Sequence, residues 1–307
     1  MQSGVFYSKG KFLLSGEYLV LHGAKALAVP LRYGQKMIVE FLPGENLIIW
    51  ETSVLGQPWF SAKFDPASLE ILECSDKKTA DFIQKVIFAS KEIRQEDLFQ
   101  NIGCKIITEI EFDIDWGLGS SSSLVSNIAW WFDIDVFKLY RKLYKGSGFD
   151  VHCARADRPI VYQLIGDRPD YHEIDFNPSF RDHLFFIYLG KKQDSQQSVS
   201  DFSRTYVHDP NLVRQISSIT DKMIGTESLV EFMLSMKQHE EILSEVLNMP
   251  LTREDRFSDF TGEIKSLGAW GGDFILAASP LGYEDVKQYF SRKKLPVVLR
   301  WEEIVYG

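Results

Sequence analysis

The sequence predicts an α+β fold built as two domains. Segments with strand character and segments with helical periodicity come in runs, not in regular strand–helix alternation, which argues for α+β over a parallel α/β sheet. The chain has 307 residues, enough for two ordinary domains with a substantial core. A turn at Asn177-Pro178-Ser179 is placed as the boundary, giving domains 1–178 and 179–307.

Residues 5–30 alternate short apolar runs with glycines and read as short strands and turns. A strand at 35–41 follows, then a hairpin of 47–51 and 59–64 across Gly56-Gln57-Pro58. Phe82, Val86, Ile87 and Ile93 fall at helical spacing, so 78–93 reads as an amphipathic helix. Residues 102–112 are strand-like and lead into Asp115-Trp116-Gly117-Leu118-Gly119-Ser120-Ser121-Ser122-Ser123. Helices are expected at 120–132 and 136–144, then a Gly146-Ser147-Gly148 turn and a strand at 159–165. In the second half, 183–189 is an apolar strand and 197–206, 211–224 and 228–247 are helical. The apolar stripe of the last, from Leu229 to Val246, reads as a packing face. Residues 255–264 are a further helix candidate. A glycine-rich loop at 265–273, a strand at 274–278, a helix at 283–291 and a strand at 296–301 complete the order.

Composition narrows the function. The formal net charge of −9 argues against nucleic acid or an anionic membrane surface as the main partner. An anionic substrate then needs locally concentrated lysines, with Lys9, Lys11, Lys191 and Lys192 as candidates. Three cysteines, Cys74, Cys104 and Cys153, show neither metal spacing nor an even disulfide set, which fits a reducing, cytoplasmic setting. No apolar run is long enough to span a bilayer, and the first residues have no secretory h-region.

The glycine- and serine-rich loop between a strand and a helix suits an anion. Glycines let the backbone turn tightly and approach a ligand. The start of the next helix offers unpaired N–H groups and the positive end of its dipole. Serine hydroxyls can meet phosphate oxygens or a metal ion. The same residues would also serve as an ordinary serine-rich helix cap. The loop lacks the lysine of a Walker A sequence and the three spaced glycines of a Rossmann fingerprint. Asp150, after Gly146-Ser147-Gly148-Phe149, suits a residue that accepts or orients an alcohol proton, with Lys11 stabilising charge on a moving phosphoryl group.

Together these segments resemble the GHMP kinase superfamily. The first matching segment runs from Lys11 through Gly16-Glu17-Tyr18 to Gly23, the second is Gly117-Leu118-Gly119-Ser120-Ser121, and the third is Gly268-Ala269-Trp270-Gly271-Gly272-Asp273. Gly146-Ser147-Gly148-Phe149-Asp150-Val151 is similar to the aspartate segment of phosphomevalonate kinases. The chain departs from the pattern at Trp270 and at 193–199, where a Ser-Thr-Lys segment is usual. No clear glutamate stands ready to help hold Mg²⁺, and Asp133 and Asp135 are the nearest substitutes.

The resemblance implies an N-terminal domain like ribosomal protein S5 domain 2 and a ferredoxin-like C-terminal domain, with ATP and acceptor in a cleft between them. It implies Asp150 and Lys11 as catalytic residues. ATP would lie on Gly117, Leu118, Gly119, Ser120, Ser121 and Ser122, with Ser121 also meeting Mg²⁺. Acceptor contacts would come from Lys9, Glu17, Tyr18, Ser147, Gly148, Gly268, Ala269, Gly271 and Gly272. The expected activity is ATP-dependent phosphorylation of mevalonate or phosphomevalonate by a monomer or homodimer. The alternatives are a homoserine or sugar kinase, a diphosphomevalonate decarboxylase-type enzyme, or a non-catalytic nucleotide-binding protein of the same fold.

Overall fold

The computed structural model describes residues 3–95, 103–191 and 195–307. The first strands are β1 (Gly4–Ser15), β2 (Ala26–Leu42), β3 (Ile48–Val54), β4 (Gln57–Phe64) and β5 (Ile71–Cys74). Helix α1 (Lys77–Arg94), strand β6 (Gly103–Ile110) and helices α2 (Ser120–Trp131), α3 (Val136–Leu143) and α4 (Phe149–Cys153) follow. Then come β7 (Ile160–Ile165), β8 (Arg168–Glu173), β9 (Leu184–Tyr188) and helices α5 (Ser195–Thr205), α6 (Pro210–Gly225), α7 (Leu229–Leu247) and α8 (Thr252–Arg256). The order ends with β10 (Glu263–Leu267), β11 (Phe274–Ala278), α9 (Tyr283–Arg292), β12 (Val298–Arg300) and α10 (Trp301–Ile304).

Contacts divide the chain into two units, which interleave along the sequence. The first comprises Met1–Gly10, Tyr33–Ile114 and Leu118–Arg155. The second comprises Lys11–Arg32, Asp115–Gly117 and Ala156–Gly307.

In the first unit the strand order is β5-β4-β3-β6-β2. β3 runs parallel to β6, with Trp50 beside Ile106, and β6 runs antiparallel to the Gln35–Leu42 part of β2. Cys104, Ile106, Thr108 and Ile110 alternate inward along β6, the period of two expected of a strand covered on one face. Helix α1 begins where the Asp76 carboxylate accepts the Thr79 N–H. Its Ile83, Val86 and Ile87 share a core with Val125 and Ile128 of α2, Leu139 of α3, and Trp50 and Phe64 of the sheet. Fully burying each such side chain contributes about 1.5–3 kcal/mol, so this core holds α2 firmly against the sheet.

In the second unit an antiparallel sheet has the order β10-β11-β9-β12. With its helices the chain order is β9, α5 to α8, β10, β11, α9, β12, the β-α-β-β-α-β arrangement of ferredoxin-like folds. Phe185 and Ile187, Ile264, Ile275 and Ala277 meet Phe290 and Val286 of α9 in its core. Ala26–Ala28 of β2 pair with β7, and β7 forms a hairpin with β8.

Several expectations need correction. Residues 5–30 form no series of short strands: β1 is 12 residues long and β2 is 17, running through Pro30 and Gly34. Residues 255–264 are not a helix. The helix ends at Arg256, and Glu263–Leu267 is β10, so Lys265 to Leu267 belong to a strand instead of a loop. Strand β8 escapes the sequence pattern because its residues are mostly exposed and polar. Residue 102 and positions 192–194, with Lys192, lie outside the described residues.

Candidate active site

In the first unit, β6 delivers the chain to a helix start. Gly119 is the N-cap of α2 at φ +101 and supplies no side-chain cap, so the first amides of α2 keep their N–H groups for a ligand. The serines then divide by role. Ser120 and Ser121 are half-buried and exposed. Ser122 is 4 % exposed and donates to the Gly119 carbonyl at 3.0 Å, so its hydroxyl braces the turn. Ser123 is buried and bonds Gln35 Oε1 at 2.9 Å. Leu118 is fully buried and anchors the turn.

Next to this helix start lies Asp150. Helix α2 is tied to α4 by Ser126 Oγ, which donates to the Val151 carbonyl at 3.0 Å. Gly148, at φ +82, opens α4, and Asp150 stands in its first turn, half-buried. Gly146 and Gly148 have no room for a Cβ, which would meet the Tyr140 hydroxyl and the Phe137 ring at 2.0 and 2.9 Å. Ser147 is buried. The His152 ring bonds the Gly148 carbonyl at 2.8 Å, and burial holds its pKa below the ordinary value. The Lys9 N–H donates to the Ala154 carbonyl at 2.8 Å, which fixes β1 beside α4.

Tyr144 is a residue the sequence reading missed. Its phenol lies near the Ser121 side chain and Asp150. Burial, and after it the negative charge of Asp150, push its pKa far up. Tyr144 therefore stays a neutral hydroxyl beside these two residues. It lies at the C-cap of α3 with no motif around it, so nothing in the sequence marks it. Asp135, considered above for Mg²⁺, instead caps α3 by accepting the Lys138 N–H at 2.8 Å.

In the second unit, Lys11 of β1 donates from Nζ to the Gly117 carbonyl at 3.4 Å. Gly117 has φ +67, and a Cβ there would lie 2.0 Å from an Asp273 carboxylate oxygen. Trp116 packs on Phe274 with centroids 5.7 Å apart, and the Tyr188 hydroxyl donates to the Asp115 carbonyl at 3.2 Å. The second unit thus brings Lys11, Gly117 and Asp273 together, whereas Asp150 belongs to the first unit. Gly117→Ala is expected to cost about 1–3 kcal/mol from strained backbone and the clash. Urea unfolding checks this. Asp273→Ser in the same chain should restore part of the loss, and an unchanged midpoint for the single variant would refute the close approach.

Glu17, Tyr18 and Ala269, expected as acceptor contacts, are buried. Glu17 is 2 % exposed, with its carboxylate held by Lys265. Tyr18 is buried, and its hydroxyl accepts the Trp270 N–H at 2.9 Å. Gly16 at φ +91 and Tyr18 at φ 61 turn this segment inward. Ala269 is buried, while Gly268 and Gly271 take positive φ with open space where a Cβ would be. The Trp270 ring is also turned inward, its Nε1 donating to the Pro250 carbonyl at 3.2 Å.

Solved structures of one architecture are similar to this chain. The Leishmania major (L. major) mevalonate kinase in complex with R-mevalonate matches with a TM-score of 0.71 at 16% identity, over 97% of this chain and 95% of that one. The chain has the GHMP kinase fold. Two further proteins of this GHMP kinase fold support it. Streptococcus pneumoniae phosphomevalonate kinase with phosphomevalonate and AMPPNP matches at TM-score 0.69 and 16% identity, covering 97% of this chain and 99% of that one. Lactococcus lactis galactokinase complexed with galactose matches at 0.69 and 14%, covering 100% and 94%. In sequence, no protein-family profile and no curated protein matches. Among the described residues, no helix is long and apolar enough to cross a membrane, and no group of three His, Cys, Asp or Glu side chains is placed to hold a metal.

Proposed function

We propose that the chain is an ATP-dependent kinase of the GHMP type that phosphorylates a small anionic metabolite, with mevalonate or phosphomevalonate as the favoured acceptors. The observation that carries this reading is the first unit's arrangement. An uncapped, serine-led helix start lies beside a short helix that bears Asp150 in its first turn, with Tyr144 near Ser121 and Asp150. A phosphoryl-transfer enzyme needs an anion cradle, a positioned acceptor and stabilised charge more than it needs covalent chemistry.

In this reading the amides at 119–121 and the Ser120 and Ser121 hydroxyls hold nucleotide phosphates. Asp150 takes or orients the acceptor proton, and Lys11 stabilises negative charge on the moving group. Mg²⁺ fits the donor set only in the form that keeps waters and nucleotide oxygens as most of its ligands, with Ser121 as the protein contact. Bound there, it would neutralise phosphate charge. The fold is shared with proteins complexed with mevalonate, phosphomevalonate and galactose. The acceptor preference therefore rests on the lysines Lys9 and Lys11 and on the sequence around Asp150.

ATP-dependent turnover with mevalonate, phosphomevalonate, homoserine and sugars tests the reading, with calorimetry on ATP and Mg²⁺ alongside. Binding and turnover with one of the two mevalonates is expected. Carbon dioxide release from a diphosphorylated substrate would favour a decarboxylase, and no nucleotide binding at millimolar concentration would favour a non-catalytic protein. Tyr144→Phe removes the neutral hydroxyl near Ser121 and Asp150 and should lower turnover roughly 2- to 10-fold. Unchanged kinetics would remove Tyr144 from the site.

A further inference from the structure

The stripe of α7 reads from sequence as a packing face, and most of it is one: Phe232, Met236 and Leu243 are buried and apolar. Between them lie His239 and Glu240, which are also buried, at 0 % and 3 % exposure. Both face backbone. The Gly16 N–H donates to His239 Nε2 at 2.9 Å, and the Ser266 N–H donates to Glu240 Oε2 at 2.9 Å. Gly16 belongs to the Gly16-Glu17-Tyr18 segment, and Ser266 leads directly into the Gly268–Asp273 loop. Two consecutive residues of one helix thus hold the roots of the first and third glycine segments.

The charges around them serve the same two segments. Lys265 is fully buried, donates to Glu17 and to the Ser266 carbonyl at 3.0 Å, and lies 3.6 Å from Glu240 Oε1. His239 Nε2 lies 3.3 Å from Glu17 Oε2. Because Nε2 accepts the Gly16 N–H, the ring carries its proton on Nδ1, which faces Glu240 Oε1 at 3.9 Å. Burying two carboxylates, a lysine and a histidine together is poor design for stability alone, since apolar residues of the same volume generally do as well or better. Glu17 Oε2, His239 Nδ1 and Glu240 Oε1 have no hydrogen-bond partner. A core filled for packing alone has little reason to keep such groups.

We propose that His239 and Glu240 are positioning residues, which set the two glycine segments of the second unit through their backbone amides. The inference rests on the kinase reading for its catalytic consequence, but its structural claim stands apart from it. Neither side chain is required to touch substrate.

The test uses the whole chain and four variants. His239→Leu and Glu240→Leu remove the acceptors. His239→Gln and Glu240→Gln keep a neutral acceptor of similar shape. Hydrogen exchange is followed on peptides covering 14–18 and 264–273, with β9 and β11 as internal references, and kinetics are measured in parallel. In the leucine variants we expect protection to fall at the two segments while β9 and β11 keep theirs. Turnover should fall by roughly 100-fold, as for a misplaced site, with little change in the KM for ATP. The glutamine variants should recover most of both.

Unchanged protection at the two segments in folded leucine variants overturns the proposal. So does equal loss across the second unit, or glutamine variants no better than leucine. If the wild-type chain has no kinase activity, the kinase reading fails, and the exchange comparison alone decides the positioning claim.

Discussion

Asp150→Asn is expected to lower ATP-dependent turnover by roughly 100- to 10,000-fold if the acceptor is a hydroxyl. The asparagine keeps the shape of the first turn of α4 but cannot take a proton. The Val151 N–H, which Asp150 Oδ1 accepts at 3.0 Å, can still be satisfied by an amide oxygen, so folding should be spared. If the acceptor is a phosphate, it is already largely ionised near neutral pH, with a second pKa of about 6. The aspartate then only orients the acceptor, and the loss should be far smaller. Lys11→Ala should lower turnover for both acceptor types, because charge on the transferred group develops in either reaction. Steady-state kinetics of the two variants, with hydroxyl and phosphate acceptors side by side, separate these cases. Near-normal activity of both variants would sink the assigned roles.

The second large effect is on stability. Burial pushes the Glu240 carboxyl up from 4.5 to about 7, against the opposing pull of Lys265 and the Ser266 N–H. Glu17 is raised too, by burial, with Lys265 pulling it back down. The two carboxylates share one lysine, so they titrate as a pair. A carboxyl with a raised folded pKa contributes its stability fully below the unfolded value. That contribution is lost as pH rises through the folded one. For Glu240 the window runs from 4.5 to about 7, and the loss across it is about 3 kcal/mol.

His239 works the other way. Burial, aided by Lys265, holds its pKa well below 6.5, so its contribution is present above 6.5 and lost as pH falls through the folded pKa. Comparing the wild-type chain with Glu240→Gln isolates the carboxyl. Relative to wild type, the variant should gain about 3 kcal/mol of unfolding free energy as pH rises from about 5 to about 8. Denaturant titrations across that range check it, and a flat difference would contradict it. A cavity of about 50 Å³, lined by Glu240 with Lys237, Thr252, Arg253, Glu254 and Glu263, has room for a water. Arg253 lies 3.5 Å from Glu263, so that side of the cavity presents a paired charge.

What was legible in the sequence was local. The strand, glycine turn and serine-led helix around 103–131 depend on neighbours a few residues apart, and periodicity and turn chemistry find them. So do α1, α6, α7 and the β9 and β11 strands. Longer-range causes were hidden. Pro30 and Gly34 look like strand breakers, yet β2 runs through both, and Gly34 sits where a Cβ would come 2.5 Å from the Ser8 carbonyl oxygen.

The serines 120–123 look alike in sequence, but only burial shows that Ser122 and Ser123 brace the turn while Ser121 stays exposed. Trp270 looks like a bulky ring in a ligand loop until its Nε1 is seen on the Pro250 carbonyl. His239 and Glu240 disappear into a helical stripe, because a polar residue is read as facing water unless its partner is known. Those partners, Gly16 and Ser266, lie far away in sequence or on another element.

The pairing of Glu17 with Lys265 has a consequence for synthesis. The two residues are 248 positions apart. At about 5 to 20 residues per second, roughly 12 to 50 s separate their emergence. For most of that interval Glu17, Tyr18 and the first glycine segment have been made, but neither α7 nor β10, which hold them, has. Until β10 is made, the Glu17 carboxylate lacks its lysine partner. The Glu17–Lys265 pair of the second unit can therefore form only late in synthesis, and its burial requires both charges to give up water.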